Sequence, residues 1–271
     1  MPDPLAARLR AAGSVFAEEE AELLASAAAD PAALASMVER RVAGEPLEAI
    51  VGWASFCGLR IVVAPGVFVP RRRTELLVRE AISIVQSEMA RISPDRQPLA
   101  TGLPLVELCC GTAAVAAAIL DGLGTAEGGL EVHAADVDPR ATACARENLG
   151  ERGRVHTGDL YDALPATLRG RIDMLVANAP YVPTDVIAMM PPEARDHEPR
   201  VALDGGSDGL DVQRRIINDA PEWLSPGGHL LIETSRRQAA GTVAACEAAG
   251  LVARVVTDDD LDATAVVAVA P

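Results

Sequence analysis

The chain has 271 residues, enough for one large domain or one domain with a small appendage, and its 49% hydrophobic content is ordinary for a packed core. A net charge of −15, with every one of its 24 basic residues an arginine, disfavours nucleic acid as the main partner, because a pool of that sign repels a phosphate backbone at long range. The longest wholly apolar run, AAVAAAIL (113–120), is far short of the roughly 20 residues of a membrane span, the first residues carry no apolar signal-type core, and five cysteines without metal spacing or CxxC suit a reducing compartment. The expectation is a soluble, cytoplasmic protein with no metal site and no membrane contact.

Residues 1–45 read as three helices, LAARLRAAG, EEEAELLASAAA and DPAALASMVERRVAG, with apolar residues at helical spacing and Gly or Asp-Pro as breaks. WASFCGLRIVVAPGVFVP (53–70) changes to strand-like runs around Gly58 and Pro65-Gly66, so residues 46–75 read as a β-hairpin linker. RRRTELLVREAISIVQSEMARI is an amphipathic helix with Thr74 placed to cap it, and ISPDRQPLATGLP (92–104) is a loop. From there strands and helices alternate. PLVELCC is a strand and TAAVAAAILDGL a helix, LEVHAADVD a strand and PRATACARENL a helix with proline in its first turn. GRVHTGDL and IDMLVANAP are strands, 184–210 a long polar segment, and VQRRIINDAPEWL a helix. GGHLLIETS is a strand, RQAAGTVAACEAAG a helix, and LVARVVTDDDLDATAVVAVA closes with a strand pair. Such alternation predicts a mostly parallel, doubly wound α/β sheet with one antiparallel strand at the closing end and ligands at the carboxyl ends of its strands.

Four stretches fall at successive strand ends. In VELCCGTAAVA (106–116) a strand–helix junction offers a ligand's polar end the amides of a helix start; a tight turn with two small core cysteines is the alternative. In HAADVDP (133–139), Asp136 is placed to accept hydrogen bonds from ribose hydroxyls, whereas Asp138 suits the cap of the next helix. In TGDLYDALP (157–165), Asp159 fits either an acceptor for an exocyclic amine, with Leu160 and Tyr161 lining the ring, or an ordinary turn residue. In LVANAPYVP (175–183) an apolar strand runs straight into Asn178, Ala179, Pro180 and Tyr181. Turn chemistry explains an asparagine or a proline there, but not both with an aromatic in a chain that is 3% aromatic. All four converge on one crevice.

These residues resemble the class I S-adenosylmethionine-dependent methyltransferases, and more narrowly the protein-(glutamine-N5) methyltransferases of peptide chain release factors and a ribosomal protein. The similarity spans roughly 44–250. It is carried by GEPLEAIVGWASFCGLRIVVAPGVFVPRRRTELLV, GDLYDALP, DMLVANAPYVP and, most specifically, EPRVALDGGSDGL (198–210) with the VPRRRTE segment. The resemblance implies a Rossmann-like, seven-stranded methyltransferase domain over 76–271, behind a small helical domain (1–45) and the hairpin linker. It implies S-adenosylmethionine as cofactor, held by Glu107, Gly111, Thr112, Asp136, Asp159, Leu160 and Asn178. The acceptor would be a protein glutamine, from a translation factor or ribosomal protein, with Phe68, Arg71, Asn178 and Tyr181 lining its pocket and Arg72 and Arg73 on a solvated face. His197 and Glu198 are expected to serve loop structure, and Thr112 alternatively to cap a helix.

Three positions depart from the family pattern. Its D-x-G-x-G-x-G loop is here Glu107-Leu108-Cys109-Cys110-Gly111-Thr112-Ala113, with one of its glycines kept; its Asn-Pro-Pro-Tyr is Asn178-Ala179-Pro180-Tyr181; and the N-terminal helical part is shorter. An amide nitrogen is a poor nucleophile that no ordinary side chain fully deprotonates at neutral pH, so the expected mechanism is positioning. Asn178 Oδ1 and the Ala179 carbonyl are the candidate acceptors for the two amide N–H groups. The carbonyl survives the proline-to-alanine change, and the expectation there is amide chemistry in a looser pocket. The alternatives are methylation of an amino group on a small molecule or nucleic acid, and a relative that has lost cofactor binding.

Overall fold

The computed structural model describes residues 3–91, 102–124 and 129–271. Most of the expected 92–104 loop, residues 92–101, lies outside the described residues, and Leu103–Leu108 is already strand.

The N-terminal helices α1 (Pro4–Ala11), α2 (Ala17–Ala27) and α3 (Pro31–Val42) bury Leu9, Leu24 and Val38 against one another. The two Asp-Pro pairs act as start signals: Asp3 accepts from the Leu5 amide and Asp30 from the Ala33 amide, each with proline in the first turn. A further helix, α4 (Leu47–Val51), stands where the hairpin linker was expected to begin. Five residues are too few for a helical period to show in sequence, and its buried Ile50 joins the N-terminal core. Gly52 ends it at φ +85°, in the left-handed region.

β1 (Trp53–Phe56) and β2 (Leu59–Val62) form the antiparallel hairpin, turning on Cys57 and Gly58, both at positive φ, as a tight two-residue turn requires. After a single 3₁₀ turn at Arg72–Thr74 comes α5 (Glu75–Arg91). The remaining elements are β3 (Leu103–Leu108), α6 (Ala114–Gly122), β4 (Leu130–Asp136), α7 (Pro139–Leu149), β5 (Arg154–Thr157), β6 (Ile172–Ala177), α8 (Pro192–His197), α9 (Asp211–Trp223), β7 (Leu224–Thr234), α10 (Ala239–Ala248), β8 (Val252–Asp258) and β9 (Ala263–Val269). The long polar segment 184–210 thus carries 3₁₀ turns and the short α8 rather than plain coil.

Among the described residues seven strands form one sheet in the order β5-β4-β3-β6-β7-β9-β8, with β9 antiparallel to both neighbours. Alternate strand residues feed two cores, Leu105, Met174 and Leu231 on one face and Val106, Leu175 and Ile232 on the other. The chain enters at β3, winds outward to β5, then returns to β6 beside β3. The strand order therefore reverses between β3 and β6, and the crevice outside the carboxyl ends of a doubly wound sheet at that point is its natural ligand site. Side-chain contacts tie the N-terminal helices and the hairpin to this domain. Asn148 on α7 bonds both the amide and carbonyl of Val62 (2.8 and 3.1 Å), and Arg41 pairs with Glu20 at 2.8 Å and with Glu193 of α8 at 3.6 Å. No helix among the described residues is long and apolar enough to cross a membrane.

Candidate active site

The four strand-end loops line one cleft of about 880 Å³, within the range of small-molecule sites. In the first loop, Cys109, Gly111 and Ala113 have φ of 52°, 53° and 56°. All three occupy the left-handed region that glycine adopts freely and L-residues adopt at a cost of about 1 kcal/mol. The alternating backbone of a glycine-rich loop is therefore kept although two of its three positions carry side chains. Glu107 supports it from beneath: Oε2 accepts from the Ala116 amide (2.8 Å) at the start of α6, whose first residues have no side-chain cap. Burial outweighs that support and pushes the Glu107 carboxyl up to about 8. Thr112 is buried and does not cap α6, where Ala113 stands at the cap; its carbonyl accepts from Asn148 Nδ2 at 2.9 Å.

Asp136 joins the ends of β3 and β4. Its Oδ2 accepts from the Gly111 amide at 2.8 Å and its Oδ1 from the Asp138 amide at 2.9 Å, which fixes the carboxylate at the cleft. Asp138 caps α7 through the Arg140 amide. Asp159 reaches the cleft with its side chain half exposed, paired to Arg215 at 2.7 Å. Leu160, at φ +46°, lines the cleft, but Tyr161 does not: its ring stacks on Trp223 and its hydroxyl donates to the Ile216 carbonyl at 2.8 Å. The expected ring-lining role of Tyr161 is thus corrected to core packing, because its phenol finds a partner only inside.

Around Asn178–Tyr181 the cleft wall is built from distant parts of the chain. Asn178 Nδ2 donates to Thr74 Oγ1 at 3.2 Å, so Thr74, expected as a helix cap, turns its hydroxyl to the site. Ala179 is 1% exposed and packs into the core. It also borders the cleft, so the residue that replaces proline touches both the core and the acceptor side. Tyr181 lines the cleft, its hydroxyl donates to Glu233 Oε1 at 3.1 Å, and its carbonyl accepts from Gln238 Nε2 at 2.8 Å. Burial, then the neighbouring Glu233 carboxylate, hold the Tyr181 phenol well above its usual range.

The glycines of EPRVALDGGSDGL have a steric reason. Val182 pairs with the 203–205 backbone through two 2.9 Å bonds, which lays Gly205 and Gly209 on the acceptor loop. A Cβ on Gly205 would come within 2.7 Å of the Pro180 carbonyl oxygen, and one on Gly209 would overlap the Tyr181 carbonyl oxygen and Gln238 Nε2. Glu198 opens the same string. It is the buried counter-ion of Arg71, which lies 5.3 Å over the Phe68 ring, so its role is more specific than loop structure. Arg72 and Arg73 are exposed, and Arg73 also lines the cleft.

The structure thus brings Phe68, Arg71, Glu107, Gly111, Thr112, Asp136, Asp159, Leu160 and Asn178–Tyr181 to one cleft. The sequence reading did not single out Arg215, Asn148, Gln238 or Glu233. For Glu233 there was a signal: one acid near the end of an otherwise apolar buried strand.

No protein-family model matches the chain. The release factor glutamine methyltransferase of Geobacter sulfurreducens is 38% identical over 211 residues, covering 77% of this chain and 67% of that protein. The enzyme of the same name from Bradyrhizobium diazoefficiens is 33% identical over 267 residues, covering 92% and 86%. A 4-amino-L-phenylalanine/4-methylamino-L-phenylalanine methyltransferase of Streptomyces pristinaespiralis is 37% identical over 215 residues, covering 79% and 69%.

Proposed function

The chain belongs to the release factor glutamine methyltransferase family, and we propose that it methylates the side-chain amide nitrogen (N5) of a glutamine in a protein such as a peptide chain release factor or a ribosomal protein. The observation that carries this reading is Asn178: its amide nitrogen is engaged by Thr74 behind it, which leaves Oδ1 to accept from a substrate in the cleft.

The cleft fits S-adenosylmethionine by its donor set. Two carboxylates, Asp136 and Asp159, stand at the ends of neighbouring strands where the cofactor's hydroxyls and adenine amine need acceptors, and the first loop keeps its left-handed backbone at Cys109, Gly111 and Ala113. Glu107, Gly111, Thr112 and Leu160 complete that half of the site. That loop shape speaks against a relative that has lost its cofactor. When bound, S-adenosylmethionine supplies an electrophilic sulfonium methyl group. Asn178 Oδ1 and the Ala179 carbonyl hold the two N–H groups of the acceptor amide, which aims its nitrogen and limits its rotation. As the N–C bond forms and positive charge develops on that nitrogen, the same two oxygens stabilise it until one of its N–H protons is lost to solvent. Pro180 keeps Ala179 extended and so keeps the carbonyl aimed. Phe68 and Tyr181 wall the amide and exclude water, and Arg71, held by Glu198, orients the substrate chain at the cleft mouth. The helical unit 1–45, docked to α8 through Arg41 and Glu193, presents the protein substrate to the catalytic domain over 76–271 across the 46–75 linker. A translation-factor substrate places the reaction in the cytoplasm.

The Streptomyces pristinaespiralis relative favours a second reading, methylation of a small-molecule amine. Incubation with methyl-labelled S-adenosylmethionine and a purified bacterial release factor, followed by peptide mass spectrometry, decides between them. A mark on a glutamine side chain is expected; label only on a small molecule or nucleic acid would overturn the protein reading. Asn178→Ala is expected to slow transfer by about 10²–10³-fold, and an unchanged rate would sink the role given to Asn178.

A further inference from the structure

Three arginines line the cleft, and two of them are already matched by a carboxylate. Arg215 is paired with Asp159 at 2.7 Å, and Arg71 with Glu198, its guanidinium 5.3 Å from the Phe68 ring centre. Arg73 is exposed, lines the same cleft, and makes no ion pair or hydrogen bond among the described residues. We propose that Arg73 is a specificity-determining residue of the acceptor site: it pairs with a carboxylate that the acceptor carries near the methylated nitrogen. The inference rests on the methyl-transfer reading of Asn178.

The chain around Arg73 fixes where its charge can act. Arg72–Thr74 is a single 3₁₀ turn, closed by the Thr74 amide donating to the Arg71 carbonyl at 2.9 Å. Both flanks of Arg73 are anchored in the cleft wall. On one side the Arg71 side chain holds Glu198, and on the other Thr74 Oγ1 accepts from Asn178 Nδ2 at 3.2 Å. Consecutive Cα atoms stand about 3.8 Å apart, so Arg73 is held beside the residue that touches Asn178. Its charge therefore belongs to the acceptor end of the cleft, away from Asp136 and Asp159. The class of ligand follows from the charges around it. A net charge of −15 repels polyanions at long range, and Glu193 and Glu198 border the same cleft. A single planar carboxylate meets one guanidinium in a bidentate pair without bringing a second negative charge against those acids. That carboxylate belongs either to an acidic side chain flanking the glutamine in a protein or to the α-carboxylate of a free amino acid. Arg72, on the same turn, is also exposed and also unpaired among the described residues, but it does not border the cleft. It carries the same charge without the same placement.

The test measures acceptor binding to the full chain saturated with S-adenosylhomocysteine, so it needs no turnover. Two pairs of probes differ only in a carboxylate. The first is a capped glutamine peptide with aspartate beside the glutamine, against the same peptide with asparagine there. The second is free L-glutamine against its α-carboxamide. Calorimetric Kd is expected to be about 10-fold lower for the acid member of one pair, as a charge-assisted bidentate contact gives. The pair that shows the preference names the source, a protein chain for the peptides and a free amino acid for the second pair. In Arg73→Ala the preference is expected to vanish, while the amide probes and S-adenosylhomocysteine bind as they do to the parent. Arg72→Ala removes an equal charge outside the cleft and is expected to keep the preference; its loss in both variants would mean a general field and overturn the proposal. Probes that bind equally to the parent, or not at all, would overturn it too. So would Arg73→Ala weakening acid and amide probes alike, the mark of a merely structural role. Methyl transfer to a release factor separates this inference from the reading beneath it. Transfer that is lost in Asn178→Ala, with no acid preference among the probes, removes Arg73 and leaves the site reading standing. Full transfer in Asn178→Ala would remove the site reading itself.

Discussion

The loops that follow β3 and β6 end neighbouring strands of one sheet, yet they hold their shapes by opposite means. The first is shaped from within: Cys109, Gly111 and Ala113 take left-handed torsions in alternation, and two of the three bear side chains that pay for it in strain. The second is shaped from outside. Asn178, Tyr181 and Val182 are fixed by Thr74, Glu233, Gln238 and the backbone of 203–205, with Gly205 and Gly209 supplying the room. The difference teaches where a motif tolerates substitution. A loop shaped by its own torsions survives the loss of glycine at a modest local cost. A loop clamped by another depends on the glycines that clamp it, because a Cβ on Gly205 or Gly209 would meet its backbone.

The sharpest way to break this contrast is Gly209→Ala. The new methyl group would overlap the Tyr181 carbonyl oxygen at a position whose φ is +77°, so a loss of about 2–4 kcal/mol is expected in urea unfolding, with methyl transfer abolished. A neutral Gly209→Ala would mean that the two loops are not clamped together. Next in size is a pair of changes within the first loop. Cys110, 5% exposed and outside the left-handed region, is expected to cost about 2 kcal/mol when replaced by glycine. Cys109→Gly also loses a side chain but relieves strain, so its cost is expected to stay within about 1 kcal/mol. Equal unfolding midpoints for the two variants would contradict the strain assigned to Cys109.

A different kind of test is the pH dependence of stability at Glu107. Its carboxyl is raised from 4.5 to about 8 in the folded chain, so ionisation is easier after unfolding. Its contribution is intact below 4.5 and is lost as pH rises toward about 8. Glu107→Gln keeps an acceptor for the Ala116 amide and cannot ionise. Relative to the parent it is expected to gain stability steadily across that window, and parallel urea midpoints at about pH 5 and about pH 8 would refute the assignment.

Much of the fold was legible because its signals are local. α7 spans Pro139–Leu149, the same residues as the expected helix PRATACARENL, since Asp138, Pro139 and Gly150 mark its ends within a few residues of chain. The hairpin turn at Cys57-Gly58 and the strand-end positions of Asp136, Asp159 and Asn178 were legible for the same reason. α4 was not, because it is shorter than the period that would reveal it. Tyr161 was misplaced because an aromatic beside a strand end looks the same whether it faces the cleft or Trp223.

The sequence by itself determined the alternation of strands and helices, and with it the convergence of four loops on one crevice, because period and capping act over a few residues. It also carried the motifs that place the chain in its family. Only the tertiary structure decided which polar atoms meet there. Asn178 and Thr74 are 104 residues apart, Tyr181 and Glu233 are 52 apart, and Arg71 and Glu198 are 127 apart. Contacts at such separations depend on how the sheet is wound and on which face each strand residue takes, and no local pattern encodes either. That is why Glu233, one acid in an apolar strand, meets Tyr181 at the cleft although no neighbour in sequence points there.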